Sequence, residues 1–245
     1  GAGIVRVVGS PGNRTVVQAS APDALFDAWD DAAAVRDAVE WSHAVAVGPG
    51  LGRGEQRRAL VEDVLEARAG RPVLVDADGL NVFAGDVDAL AARLGPEDLV
   101  TPHPGELARL LGEEIGAVLE DPPAAVRTAA DRLGAAVLLK GAPSLAAAPA
   151  GPLRVAVHAG PEVASGGSGD VLAGAAGAFL AAGLGAVEAA EAALFTTALA
   201  ARRSPAPEGH LASDVPDRLP AVRAELAALP PAGGDAVLFA LAAAG

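Results

Sequence analysis

The sequence predicts an α/β fold built on a mostly parallel sheet. Two observations carry this. Short apolar runs alternate with longer helical ones, and strands separated by helices of that length require βαβ crossovers. The segments rich in Gly, Pro and charged residues (48–52, 76–81, 101–106 and 140–141) each fall just after a predicted strand. A parallel sheet sets such segments along one rim, where open α/β sheets bind their ligands.

The elements follow in order. Residues 4–8 read as a strand, and 21–28 and 31–40 as helices with acidic residues near their starts. Residues 44–47 form a short buried strand, ending in Gly48-Pro49-Gly50-Leu51-Gly52. Residues 55–69 are a helix with alternating charge on its outer face. Residues 72–75 are a strand ending in Asp76-Ala77-Asp78-Gly79-Leu80-Asn81, and 99–101 a strand ending in Pro102-His103-Pro104-Gly105-Glu106. A helix follows through Leu111, and another covers 123–133. Residues 135–139 are a strand running into Lys140-Gly141. Residues 145–148 and 153–157 pair as a hairpin around Ala150-Gly151. Residues 171–182, 187–203 and 216–228 are helical, and the tail 229–245 is rich in Pro, Gly and Ala.

At 245 residues and 51% hydrophobic, the chain has material for a sizeable core, carried by Ala, Val and Leu because aromatics are only 3%. The absence of Cys excludes disulfides, zinc–thiolate sites and Cys nucleophiles. His43, His158 and His210 match no motif, and their spacing gives no metal cluster. A net charge of −13 makes nucleic acid a poor partner. No apolar run reaches the roughly 18 residues of a membrane span without Gly, Pro or a charge, so no membrane partner is expected. No signal peptide is apparent, and the composition suits a cytoplasmic bacterial protein. Met is absent even at position 1, and the first residues read as a strand already under way. The expectation is a chain whose natural N-terminus lies upstream.

The most informative stretch is Ala164-Ser165-Gly166-Gly167-Ser168-Gly169-Asp170-Val171-Leu172. Its glycines let bare backbone N–H groups approach a phosphate, and the free amides of the following helix point at the same anion. Asp170 stands at the junction, either as an acid/base group or as the helix N-cap. An anion cradle with a carboxylate inside it points to phosphoryl transfer on a small molecule. Lys140 is the only lysine beside 17 arginines. It reads either as a nucleotide contact or as an ordinary surface residue.

Five motifs occur in the order VGPGLG (47–52), VDADGLN (75–81), VTPHPGE (100–106), LKGAPS (139–144) and GGSGDVL (166–172). Together they resemble the ADP-dependent NAD(P)H-hydrate dehydratase family, a branch of the ribokinase-like group. TPHPGE is the most specific of them, and GGSGD alone marks only the wider group. The resemblance runs from Gly1 to about Leu219. It implies a three-layer α/β/α ribokinase-like fold, with residues 1–228 as one catalytic domain and 229–245 as a tail. It also implies that the family's N-terminal strand and Gly-rich helix are missing from this chain, and that the segment before Gly166 is shortened to Ala159-Gly160-Pro161-Glu162.

The family restores NADH and NADPH from their hydrated forms, using ADP and Mg2+ and releasing AMP and phosphate. By resemblance Asp170 is the catalytic base and contacts the hydrated ring, with Gly50 and His103 also binding that substrate. Lys140, Gly141, Ala142, Pro143 and Ser144, with Gly167 and Gly169, bind the nucleotide. No residue is assigned to a resident metal. Glu106 orients its loop, helps to hold magnesium or caps the next helix, and Asp76 and Asn81 sit near the phosphates. Relatives imply a homo-oligomer, a tetramer. The other readings are a ribokinase-like kinase for a vitamin precursor, which TPHPGE argues against, and an inactive fragment of a bifunctional repair protein.

Overall fold

The computed structural model describes residues 2–156, 165–204 and 211–228. The tail 229–245, the shortened segment 159–162, His158 and His210 lie outside the described residues. The first elements are β1 (Arg6–Gly9), α1 (Arg14–Ser20), β2 (Leu25–Ala28) and α2 (Ala32–Trp41). The central sheet follows, with β3 (Val45–Val47), β4 (Val73–Val75), β5 (Leu99–Val100), β6 (Ala136–Leu139), β7 (Ser144–Ala147) and β8 (Arg154–Ala156). Its helices are α3 (Glu55–Ala67), α4 (Asp78–Asn81), α5 (Val87–Ala91), α6 (Pro104–Leu111), α7 (Ile115–Glu120) and α8 (Pro122–Leu133). After the sheet come α9 (Ser168–Ala181), α10 (Ala186–Arg202) and α11 (Leu219–Ala228).

The six-stranded sheet runs in sequence order, β3 to β8. β3 to β6 are parallel, and the hairpin β7–β8 closes it antiparallel. This is the mostly parallel α/β architecture expected. The expected helix over 21–28 is corrected. Leu25–Ala28 is a strand parallel to β1, in the register Arg6 to Leu25, and a helix lies earlier at Arg14–Ser20. Residues 25–28 have little β propensity of their own. Pairing with β1 and the 2.9 Å ion pair of Arg6 with Asp27 decide their conformation.

Alternation along the strands divides the core in two. Val73, Val75, Val100, Val137 and Leu139 pack with Val61 and Leu65 of α3, Leu107 and Leu110 of α6, and Val126 and Leu133 of α8. Leu74, Leu99, Ala136 and Leu138 face the other way, onto Leu172, Ala173 and Ala176 of α9 and Ala189, Ala190 and Ala193 of α10. Strands apolar on both faces are what a sheet covered by helices on both sides requires. Ala173, Ala176 and Gly177 are small, so the middle of α9 lies close to the sheet. A Cβ placed on Gly177 would stand 3.5 Å from the Cβ of Ala46.

At the sheet end opposite the motif-bearing turns, Arg68 and Asp98 form a buried two-point ion pair with N···O distances of 2.7 and 2.6 Å. Asp98 also accepts from Val73 N at 3.0 Å and Gly95 N at 2.7 Å, fixing the start of β4 beside the entry to β5. Asp98→Ala would leave a buried guanidinium without its carboxylate. We expect a loss of about 3–5 kcal/mol in unfolding free energy by urea titration; a loss below about 1 kcal/mol would contradict the role given to the pair.

Candidate active site

The sheet ladder continues one step past the carboxyl ends of the central strands. Asp76 N donates to Val47 O, Thr101 N to Val75 O and Lys140 N to Pro102 O. The strand alternation therefore extends to these residues. Asp76, Thr101 and Lys140 follow Leu74, Leu99 and Leu138 by two positions, so all three face the α9 side. The end of the sheet thus gathers residues from three separate motifs.

The turn after β3 and the turn after β4 interlock. A Cβ on Gly48, whose φ is +126°, would sit 1.8 Å from Asp76 O and 2.7 Å from Gly79 N. One on Gly79 would stand 2.8 Å from Val47 O. Glycine is required at both positions by backbone contact. Gly50, expected to allow close approach to substrate, has φ +68° and open space where its Cβ would be. The close approach within the chain is made at Gly48 instead. Between Asp76 and Asp78, Ala77 is held at φ 50° and ψ −121°, a strained conformation for a residue with a Cβ.

Asp78 ties this turn to the Gly48–Gly52 loop. It accepts from Gly52 N at 3.0 Å, Arg53 Nε at 3.2 Å and Asn81 Nδ2 at 3.1 Å. Burial pushes its carboxyl up, but the hydrogen bonds from Asn81, Arg53 and Gly52 outweigh it and leave the pKa below the ordinary value. Asn81 is held by Asp78 and by Arg109 Nε at 3.0 Å. Its contacts are thus to neighbouring side chains.

Lys140 is a half-buried residue, not a surface one. Its Nζ lies 2.6 Å from Asp76 Oδ1 and 3.6 Å from Glu106 Oε2, and the Asp76 side chain is only 1% exposed. A Cβ on Gly169 would stand 3.5 Å from the same Nζ. The lone ammonium therefore joins the Asp76 turn, the TPHPGE helix start and the Gly-rich loop. Two carboxylates around one ammonium leave the cluster net negative, so an incoming phosphate depends on N–H donors and a counter-cation.

His103 is the N-cap of α6. Its Nδ1 accepts from Gly105 N at 3.0 Å and Glu106 N at 3.3 Å, while Glu106 Oε2 accepts from His103 N at 2.8 Å. This reciprocal pair is a capping box. Because Nδ1 accepts, the neutral ring carries its proton on Nε2, and the side chain is 49% exposed. Glu106 caps the helix, one of the alternatives expected of it, and it also faces Lys140.

In the loop, Gly167 is the N-cap of α9 in the left-handed region, φ 88°, so Asp170 is the third helical residue and not the cap. Asp170 is exposed, and its carboxylate has no hydrogen-bond partner among the described residues. The N–H of Gly169 also finds no acceptor among them. Ser144 is turned inward. Its hydroxyl donates to Gly141 O at 2.8 Å and accepts from Gly141 N at 3.3 Å, closing its own turn, while Gly141, Ala142 and Pro143 are exposed. His43 is exposed and stands apart from this cluster. Sequence reasoning missed Gly48, Gly79 and Thr101; the signal available for the glycines was their place directly after a strand and inside a turn.

Residues 1–221 match a family model described as NAD(P)H-hydrate dehydratase. The chain is 41% identical over 208 residues to the bifunctional NAD(P)H-hydrate repair enzyme Nnr of Salinibacter ruber, covering 84% of this chain and 37% of that protein. It is 37% identical over 155 residues to the ADP-dependent (S)-NAD(P)H-hydrate dehydratase of Neisseria meningitidis, covering 63% of this chain and 51% of that one. It also resembles the crystal structure of the ADP/ATP-dependent NAD(P)H-hydrate dehydratase from Bacillus subtilis co-crystallized with ATP and Mg2+. The TM-score is 0.76 at 27% identity, over 92% of this chain and 80% of that chain. The fold is ribokinase-like. The chain spans 37% and 51% of the length of these two curated relatives.

Two outcomes test the site's construction. Gly48→Ala has no room beside Asp76 O and needs a forbidden φ, so it should lower the unfolding free energy by more than about 2 kcal/mol in chemical denaturation. Stability from the Asp78 ties is present above the ordinary carboxylate pKa and is lost as pH falls through the lower folded value. Asp78→Asn should therefore flatten the fall in stability below about pH 4, measured as Tm against pH; an unchanged acid limb would contradict this.

Proposed function

Because the chain belongs to the NAD(P)H-hydrate dehydratase family, we propose that it dehydrates hydrated NADH or NADPH at the expense of ADP, releasing AMP and phosphate. The single observation that supports this most is the position of Lys140 Nζ. It lies against Asp76 and Glu106 on one side and against Gly169 of the anion loop on the other.

The chemistry proceeds in two steps. The ring hydroxyl of the hydrated nicotinamide attacks the β-phosphorus of ADP, its proton passing to a base as the bond to AMP breaks. Loss of phosphate together with a ring proton then restores the double bond, because phosphate leaves far more readily than hydroxide. Asp170 is the base for the hydroxyl: it is exposed, without a partner among the described residues, and three residues into the helix that begins the cradle. The N–H of Gly169, without an acceptor among the described residues, and the Lys140 ammonium stabilise the moving phosphoryl group. His103 presents its Nε2–H to an acceptor on the dinucleotide, and Gly50, in the turn after β3, lies on the same rim. Gly141, Ala142 and Pro143 offer exposed backbone to the nucleotide, as does Gly167, while the Ser144 hydroxyl shapes their turn.

Magnesium fits this donor set. No three His, Asp or Glu side chains gather as a metal cage among the described residues, and magnesium commonly takes one or two carboxylates and fills its shell with phosphates and water. Glu106, facing Lys140 at the same rim, would be the carboxylate to hold it, and the ion would neutralise phosphate charge. Residues 1–228 act as one catalytic domain in this reading, in the cytoplasm and as a homo-oligomer of four copies. No described helix is long and apolar enough to cross a membrane.

The test is an absorbance assay at the reduced-nicotinamide band, with hydrated NADH, ADP and magnesium. Absorbance should return only when ADP is present. Asp170→Asn should slow it by about a hundredfold or more, and an unchanged rate in that variant would remove Asp170 from the mechanism. A stable phosphomonoester product would favour a kinase instead.

A further inference from the structure

Thr101 is fully buried, at 0% exposure, and its hydroxyl has no hydrogen-bond partner among the described residues. An unpaired buried hydroxyl is a cost that native structures rarely carry without a reason. Its place in the sheet supplies one. The register pairs Leu74 with Leu99 and Val75 with Val100, so Asp76 and Thr101 are direct neighbours one step further on. Adjacent strands lie about 4.8 Å apart, and both side chains project to the α9 face. Lys140 directly follows the next strand, β6, and reaches Asp76 across the end of β5, which Thr101 directly follows. The hydroxyl therefore lies alongside the Lys140–Asp76 bridge.

The bridge poses a problem for anion binding. Lys140 Nζ is the ammonium beside the Gly-rich loop, and it is held 2.6 Å from a carboxylate that is 1% exposed. A phosphate that draws the ammonium toward Gly169 weakens that bond and leaves a buried charge short of a donor, which is strongly unfavourable. Thr101 is the adjacent side chain with an unused donor, and turning its hydroxyl toward Asp76 takes a rotation about a single bond.

We infer that Thr101 is a positioning residue, whose hydroxyl takes over Asp76 when Lys140 engages the nucleotide phosphates. Asp76 is held here by Lys140 through Oδ1, and Thr101 is the neighbouring buried donor without an acceptor. The inference rests on the reading of Lys140 as a nucleotide contact.

Thr101→Val keeps the shape and removes the hydroxyl; Thr101→Ser keeps the hydroxyl. Each full chain is heated with and without ADP and magnesium, and ADP affinity is measured by calorimetry. Without ADP, Thr101→Val should be at least as stable as the parent, since it loses only an unpaired hydroxyl. Its ADP affinity should fall about tenfold, with a matching loss of the ADP-induced rise in Tm. Thr101→Ser should restore the affinity to within about threefold of the parent. Under turnover the defect should appear in KM for ADP more than in kcat. Parent-like ADP affinity in Thr101→Val, or a serine variant as weak as the valine one, overturns the inference while leaving the proposed function intact. A parent chain that shows no ADP-dependent rise in Tm overturns both.

Discussion

The Lys140–Asp76 ion pair joins the carboxyl end of β6 to that of β4 across the strand between them, and the rim takes its form from that contact. Asp76 is buried because the Gly48 turn crosses its carbonyl at a distance no side chain would permit. A buried carboxylate needs a cation or several donors to remain charged, and here the chain's single lysine supplies one. That lysine then stands where the Gly-rich loop comes closest. The ion pair is thus less a source of stability than a means of fixing where one positive charge sits in a molecule of net charge −13.

The rest of the sheet serves this placement by being rigid. Val and Leu fill both sides of the interface with α3, α6 and α8, whereas on the other face the sheet's Leu side chains meet mostly Ala residues of α9 and α10. Small residues let a helix lie close to its sheet. The start of α9, with Gly167, Gly169 and Asp170, is thereby carried up to the strand ends rather than held away from them. The two halves of the core do different work: one gives bulk, the other proximity.

His103 shows how one side chain can hold a helix cap and still present a polar atom at the rim. Its Nδ1 is committed to the helix cap, so the ring has a fixed face and a fixed tautomer. The opposite nitrogen stays at the half-exposed rim. Glu106 has the same double character, completing the cap through one oxygen while facing Lys140. Reading such residues as either caps or ligands poses a choice that their geometry does not make.

Much of this was legible in the sequence, because strands, helices and Gly-rich turns are local patterns and parallel order follows from the length of the crossovers. The five motifs, the lone lysine and the placement of special residues after strands could all be read along the chain. Residues 21–28 could not, since a strand of Leu, Phe, Asp and Ala is decided by its neighbour β1 and not by its own preference. Nor could the inward turn of Ser144, the interlock of Gly48 with Asp76 and Gly79, or the unpartnered hydroxyl of Thr101. Each of these depends on which atoms from distant segments come within a few ångströms. The sequence by itself determined the architecture and the residue types on the rim. Tertiary packing alone decided which of them touch, because side-chain contacts across β4, β5 and β6 are set by strand register.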